Sequence, residues 1–159
     1  MKTLIISDSH NHIANIKAVM EIGKKANVSA VIHCGDWDDT SAAEAVLSFG
    51  IPLYTILGNA DVNSDIETYL RLNAKGFDPD YLKFELCGRK IGVTHQLRQS
   101  DPRHDKLDIV FSGHYHSSES KVIDFRKFVR PGALINGINF AVYETETNEA
   151  EIVEDILNK

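Results

Sequence analysis

Cysteine is scarce in this chain, and long apolar runs are missing. Cys34 and Cys87 are its two cysteines; they lie far apart and form neither a CxxC motif nor a disulfide framework. We expect both to be small core residues in a reducing cytosol. No segment approaches the roughly 18 consecutive apolar residues of a membrane span, and the run before Asp8 is too short for a signal peptide. The sequence therefore predicts a cytoplasmic protein that does not cross a membrane.

Positive charge is also in deficit, with 17 Lys and Arg against 23 Asp and Glu and a net charge of −6. Broad binding to nucleic acid or to an anionic membrane needs a basic face, so both are disfavoured. A small anionic substrate remains compatible with the composition, because the local field of a site can oppose the net charge.

The first sixty residues alternate between short apolar runs and segments with helical spacing. We predict strands over 4–6, 28–33 and 52–57 and helices over 11–25 and 40–49, with Asn11 as a helix N-cap. This β-α-β-α-β order predicts a parallel sheet with right-handed crossovers.

The second half is richer in strands. After a helix over 62–72 and a polar loop over 73–80, the predicted strands are 82–86, 90–94, 107–111, 120–124, 127–129, 140–145 and 149–154, with an irregular segment at 96–106 and a turn at 130–132. We expect an α/β (α+β) fold in which two sheets pack face to face within a single domain over 1–159.

A side chain of a metal-binding type follows nearly every one of the predicted strands that form the site edge. These candidates are Asp8, His10, Asp36, Asn59, His95, His114 and His116. They should converge, because parallel strands end at the same sheet edge. So many ligands suit two divalent ions about 3.5–4 Å apart that share a carboxylate. Imidazole with carboxylate, and no cysteine, favours Mn, Fe, Co, Ni or Zn over a structural zinc site.

Five motifs of the chain resemble, in order, the signature of the calcineurin-like metallophosphoesterases, and the small size resembles their small prokaryotic phosphodiesterase branch. The motifs are Asp8-Ser9-His10, Gly35-Asp36, Gly58-Asn59, Thr94-His95 and Gly113-His114-Tyr115-His116. The resemblance implies a β-sandwich flanked by helices, with two divalent ions, Mn before Ni, Fe, Zn or Co. It implies that one ion is held by Asp8, His10 and His116, the other by Asn59, His95 and His114, and that Asp36 bridges both.

The activity implied by this resemblance is hydrolysis of phosphate esters, diesters in particular, through in-line attack by a metal-bridging hydroxide. Asp36, Asn59 and His95 would be the catalytic residues. Two such ions bring a charge of about +4, and Asp8, Asp36 and a bridging hydroxide together bring about −3, so the site would keep a charge of about +1 that attracts a phosphate. A small phosphodiester or phosphate ester is the expected partner, with no membrane and no extended nucleic-acid surface.

The chain departs from the family pattern at two places. Many members carry a His after the motif Asn that protonates the leaving group, and Ala60 stands there instead. This favours diesters or activated esters, or another acid such as His12 or water. Gln96-Leu97 replaces a Gly-His pair, and the short segment that follows predicts a different cleft wall, which His104 could reach.

Several residues near the motifs have two interpretations. His12 is either part of the site or a first-turn helix residue. Trp37 either stacks on a substrate ring or packs against a neighbouring loop or a partner; if exposed, it would suit a homodimer. Asp39 and Asp61 either orient a histidine ligand or cap turns. Arg130 either reaches a phosphate or is a solvated turn residue.

Two other functions remain open on the same fold. One is a non-catalytic interaction scaffold, as the retromer subunit of this superfamily is; such scaffolds typically lose ligand residues, and here all seven stand. The other is a nuclease, which the lack of a basic patch disfavours for long polymers.

Overall fold

The computed structural model describes residues 1–155, so the last four residues of the expected domain, 156–159, lie outside the described residues. Its elements, in chain order, are β1 Lys2–Ile6, α1 Ile13–Lys25, β2 Ala30–His33, α2 Thr40–Leu47, β3 Leu53–Thr55, α3 Ser64–Asn73, β4 Gly76–Phe77, β5 Tyr81–Leu86, β6 Arg89–Thr94, β7 Ile109–Phe111, β8 Ser118–Ile123, β9 Arg126–Pro131, β10 Phe140–Glu144 and β11 Glu149–Val153. Short 3-10 turns lie at Pro102–His104 and Leu134–Asn136.

The described strands form two sheets that pack face to face. One has the order β11-β10-β1-β2-β3-β4 and the other β5-β6-β7-β9-β8. Strands β1 to β4 run parallel and alternate with α1, α2 and α3, whereas β10 and β11 add to the sheet antiparallel. The predicted fold class, with its β-α-β-α-β start and two sheets flanked by helices, is confirmed.

Strand β1 separates two hydrophobic cores. Leu4 and Ile6 point into the core beneath the helices, whereas Ile5 points into the core between the sheets. Successive side chains of a strand face opposite sides, so a strand that is buried on both faces needs an uninterrupted apolar run. The apolar run therefore has the length of the buried strand, and the polar residues of the site begin where β1 ends.

Some predicted boundaries were wrong for local reasons. Helix α1 begins at Ile13, because His12, and not Asn11, caps it by accepting a hydrogen bond from the Asn15 amide at 3.3 Å. Part of the predicted polar loop pairs with β3 and forms β4. Strand β9 continues through Pro131, so the turn expected at 130–132 starts only at its end.

The two cysteines differ in environment. Cys34 is buried, as expected, whereas Cys87 lies exposed in the turn between β5 and β6, so its core assignment was wrong. Among residues 1–155, no helix has the length and apolar character needed to span a bilayer.

Candidate metal centre

Loops that follow β1, β2, β3, β6 and β7 meet at one edge of the two sheets. They bring together the seven predicted ligands, which fall into two groups around one carboxylate. The His10 group consists of Asp8, His10 and His116, and the His95 group consists of Asn59, His95 and His114. The shared carboxylate is Asp36.

The His10 group lies close to Asp36. One ligand atom from each of Asp8, His10, Asp36 and His116 falls within 4.8 Å of the others. His116 Nε2 is 3.5 Å from Asp8 Oδ1, and His10 Nε2 is 3.5 Å from Asp36 Oδ2. His10 Nε2 is buried and has no hydrogen-bond partner among the described residues. A buried nitrogen left unpaired beside two carboxylates fits a divalent cation.

The His95 group contacts the same carboxylate. Asn59 Oδ1 lies 2.9 Å from His95 Nε2 and 2.9 Å from His114 Nδ1, and His95 Nε2 lies 3.3 Å from Asp36 Oδ2. Neutral His95 has one N–H, which its Nδ1 donates to the Cys34 carbonyl, so its Nε2 faces the oxygens of Asn59 and Asp36 as a further acceptor. A cation between these atoms removes that conflict. Asp36, in contact with both groups, stands where a shared ligand would be needed.

The backbone of these loops is strained. Five candidate ligands have positive φ angles: Asp8 at 51°, His10 at 41°, Asp36 at 63°, His114 at 75° and His116 at 57°. Such conformations cost about 1–3 kcal/mol each and persist where surrounding contacts enforce them. Here the β1 and β2 loops brace each other, since the Asp8 amide donates to the Gly35 carbonyl at 3.0 Å and the His10 amide to the Asp36 carbonyl at 3.1 Å.

Two glycines of the motifs make room for the carboxylates. A Cβ on Gly58 would lie 2.1 Å from Asp36 Oδ1, and a Cβ on Gly113 would lie 2.0 Å from Ser7 Oγ and 2.6 Å from Asp8 Oδ2. Any side chain at either position would therefore displace a candidate ligand.

The charges of Asp36 and His95 depend on each other. Burial opposes ionisation of Asp36, but hydrogen bonds from His95 and from the Ala60 amide outweigh it and lower its pKa to about 2. Burial likewise disfavours the charged form of His95, yet its bonds to Asp36 and to the Cys34 carbonyl raise its pKa. For Asp8 burial prevails and raises the pKa of the carboxyl, an effect that a bound cation would reverse.

Each group also has a partner that orients a histidine. His95 Nδ1 donates to the Cys34 carbonyl at 2.7 Å, which leaves Nε2 to face Asp36 and Asn59. His10 Nδ1 pairs with Asp38 at 3.0 Å, an arrangement typical of metal-binding histidines. Sequence analysis missed Asp38; its position two residues after Asp36, in the same turn, was the available signal.

Asp39 and Asp61 bind backbone amides, which is the second of the two interpretations given for them. Asp39 caps α2 by accepting from the Ser41 amide at 2.9 Å. Asp61 is buried and accepts four amide hydrogen bonds, of 2.7–3.0 Å, from Trp37, Gly58, Asp38 and Asp36. Burial raises the pKa of Asp61 against the effect of these bonds. Asp61 thus ties the β2 loop to the β3 loop.

Of the interpretations given for Trp37, the structure agrees with packing inside the protein. Trp37 is fully buried, stacks on His33 with ring centroids 3.6 Å apart, and donates from Nε1 to Thr55 Oγ1 at 3.2 Å. It can therefore neither stack on a substrate nor support a dimer contact.

Three other residues lie away from the ligand cluster. His12 is the N-cap of α1, the second of its two interpretations. His104 is buried between Tyr81 and the Arg98 carbonyl. It therefore does not reach the cleft, which the sequence had left open. Arg130 binds Ser117 and covers the Tyr115 ring, so it is neither a phosphate ligand nor a solvated turn residue.

A cavity of about 380 Å³ opens beside the His95 group. Asn59 and His95 line one part of it, and Arg98, Asp101 and Arg103, from the segment between β6 and β7, line another. A small substrate has room here next to the candidate ligands.

The fold and this ligand arrangement place the chain in a known family. It belongs to the calcineurin-like phosphoesterase superfamily, whose domain model matches residues 1–148, and the resemblance noted from its motifs is confirmed.

Individual relatives point the same way. Phosphodiesterase MJ0936 from Methanocaldococcus jannaschii is 28% identical over 159 residues, which cover 94% of this chain and 96% of the relative. The solved structure of an archaeal phosphodiesterase has a TM-score of 0.84 at 25% identity and covers 96% of this chain and 99% of its own.

A more distant structure shares the fold. Vps29 from Entamoeba histolytica, solved in complex with Zn²⁺, has a TM-score of 0.67 at 17% identity, covering 94% of this chain and 89% of Vps29. At that identity the likeness concerns the fold alone.

Proposed function

We propose that this protein is a divalent-metal-dependent phosphodiesterase that acts on small phosphodiesters. The observation that carries the proposal is the position of Asp36 Oδ2, 3.5 Å from His10 Nε2 on one side and 3.3 Å from His95 Nε2 on the other. Two groups of oxygen and nitrogen donors around one shared carboxylate suit a pair of metal ions better than a single ion.

In this proposal the His10 group holds one ion, the His95 group holds the other, and Asp36 contacts both. When bound, two divalent ions would neutralise the phosphate charge and supply a hydroxide nucleophile near neutral pH. Mixed imidazole and carboxylate donors suit Mn, Ni, Fe, Zn and Co, and of these we propose manganese first. The proposal places the protein in the cytoplasm as a single domain.

The protein's own contribution is to fix the donors before the substrate arrives. Asp38 and the Cys34 carbonyl orient the two histidines, and the His114 amide donates to both Asp8 carboxylate oxygens at 3.1 Å. Rigid donors need no reorganisation during the reaction, which is the usual source of electrostatic catalysis.

The position after the motif Asn limits the leaving group. Ala60 offers only its backbone amide, which donates to Asp36 Oδ1 at 2.8 Å, and its side chain carries no proton for transfer. An aryl oxide leaves without protonation, whereas an alkoxide needs an acid. We therefore expect aryl and other activated diesters to react faster than alkyl esters.

The test compares hydrolysis of bis(4-nitrophenyl) phosphate and 4-nitrophenyl phosphate in Mn²⁺, Ni²⁺, Zn²⁺ and Mg²⁺. Asp36→Asn and His95→Gln should each lower kcat/KM by more than about 100-fold, since changes to groups that merely orient a ligand already cost up to that much. Asp39→Asn, which alters an exposed helix cap nearby, is the matched control and should retain activity.

Metal analysis of the dialysed protein completes the test, with about two ions per chain expected for a dinuclear site. A parent protein inactive with all four metals, or an Asp36→Asn variant as active as the parent, would contradict the proposal. The first result would favour an interaction scaffold.

A further inference from the structure

The cavity beside the His95 group contains one arginine that is paired and one that is not. Arg103 binds Asp101 through Nε at 2.9 Å and Nη2 at 2.7 Å, and its Nη1 pairs with Asp80. Arg98 is an exposed residue that lines the same cavity, and its guanidinium makes no hydrogen bond or ion pair within residues 1–155. Arg98 is therefore the cation of this cavity that no carboxylate engages.

The backbone of Arg98 is held in place although its side chain is free. Its carbonyl accepts from His104 Nε2 at 2.8 Å and from the Asp101 amide at 3.0 Å. The His104 ring is buried, and its Nδ1 accepts from the Tyr81 hydroxyl at 2.6 Å. Arg103 covers the Tyr81 ring at 4.5 Å, which secures the same segment from outside. These contacts anchor the base of Arg98 to β5.

The other charged side chains that line the cavity are Arg103 and the two aspartates that it binds. Asp80 and Asp101 are each paired with Arg103, and neither forms an ion pair with Arg98 among residues 1–155. A guanidinium presents paired N–H donors that match a carboxylate or a phosphate in geometry. In a chain of net charge −6, an unpaired cation beside the centre is a local attraction for anions.

We propose that Arg98 binds a second anionic group of the substrate, a carboxylate or a phosphate carried beyond the reacting phosphodiester. This rests on the proposed function for the position of that reacting phosphate at the His95 group. The substrate class is thus a phosphodiester with an additional negative charge on one of its two ester groups.

A matched pair of substrates tests the proposal. The first is 4-nitrophenyl phenyl phosphate, and the second carries a carboxylate at the 4-position of the phenyl group, so both lose the same nitrophenolate. The wild type should show about fivefold higher kcat/KM for the carboxylated diester, mainly through KM, which corresponds to one exposed ion pair.

Arg98→Gln should abolish this preference, so that the ratio of kcat/KM between the two diesters falls to about one, and Arg98→Lys should keep part of it. Lys17→Gln removes the same charge from the exposed face of α1 and is the matched control, with the preference intact. Equal rates for both diesters in the wild type, unchanged by Arg98→Gln, would overturn the role of Arg98 and leave the proposed function standing.

A binding measurement separates the two proposals if no diester is hydrolysed. Calorimetric titration of the manganese-treated protein with phenylphosphonate and 4-carboxyphenylphosphonate should give severalfold tighter binding of the carboxylated compound. Loss of that difference in Arg98→Gln, but not in Lys17→Gln, supports the anion site whatever the activity. Equal affinities in the wild type would overturn it.

Discussion

The two groups of the candidate metal centre are oriented by different kinds of partner. In the His10 group the orienting partner is the side chain of Asp38, which is 39% exposed, whereas in the His95 group it is the carbonyl of buried Cys34, directly after β2. A side chain can be replaced without moving the chain, but a backbone carbonyl cannot. The orientation of the histidine in the His10 group can therefore be changed by a single substitution, whereas that in the His95 group is fixed by the fold.

We expect the largest effect from a substitution that displaces Asp36, the carboxylate that the two groups share. Gly58→Ala would place a Cβ 2.1 Å from Asp36 Oδ1 and displace the carboxylate between them. We expect loss of both ions by metal analysis and a decrease of more than about 100-fold in diester hydrolysis.

Gly50→Ala is the control for this substitution. Gly50 also has a positive φ, of 71°, but nothing lies within 4 Å of its added Cβ. The Gly50→Ala variant should lose about 1 kcal/mol of stability and retain its ions and its activity. Full activity in Gly58→Ala would contradict the shared role of Asp36.

A smaller effect should separate the two groups. Asp38→Asn weakens the orientation of His10 and leaves the Cys34 carbonyl on His95 unchanged. Titration of the metal-free protein with Mn²⁺ should show one of two ions bound about 10- to 100-fold more weakly. Asp39→Asn should bind both ions as the wild type does; equal weakening of both ions in Asp38→Asn would mean that the groups are not independent.

The smallest effect concerns the buried residue beneath both groups. His33 Nε2 contacts Ser9 Oγ at 2.9 Å, and its Nδ1 accepts from the Gly35 amide at 3.1 Å. Burial lowers the pKa of His33 well below its usual value, so the folded protein excludes the proton that the unfolded chain takes up near pH 6.5. Stability should therefore fall as the pH drops below about 6.5, by at most about 1.4 kcal/mol per pH unit, and be unaffected by this group above it.

Urea unfolding in EDTA at pH 7.5, 6.0 and 5.0 checks this prediction. The slope of unfolding free energy against pH between 6.0 and 5.0 should be smaller in His33→Gln than in the wild type. Identical slopes would show that His33 does not contribute to acid sensitivity.

The positions of the ligand candidates were readable from sequence, because apolar runs that end in Asp, Asn or His mark strand ends and parallel strand ends meet. The sequence did not show which carboxylate orients His10. Asp38 and Asp39 are neighbours of the same chemistry, and the backbone decides between them: Asp38 has a φ of 71° and faces His10, whereas Asp39 is extended at −146° and caps α2.

Trp37 shows a second limit. A lone tryptophan within a site motif suggests a surface for substrate rings, but its contacts come from His33 and Thr55, which local sequence does not place beneath it. Burial of this kind depends on the approach of β2 and β3, a tertiary feature that no motif encodes.

Asp61 has a consequence for how the proposed metal centre would be loaded. Its carboxylate fastens the loops after β2 and β3 by four amide hydrogen bonds, none of which involves an ion. If the proposed function holds, we expect the protein to lose metal to a chelator and take it up again without refolding. The proposed activity would then follow the supply of free divalent metal, rising and falling with no change in the amount of protein.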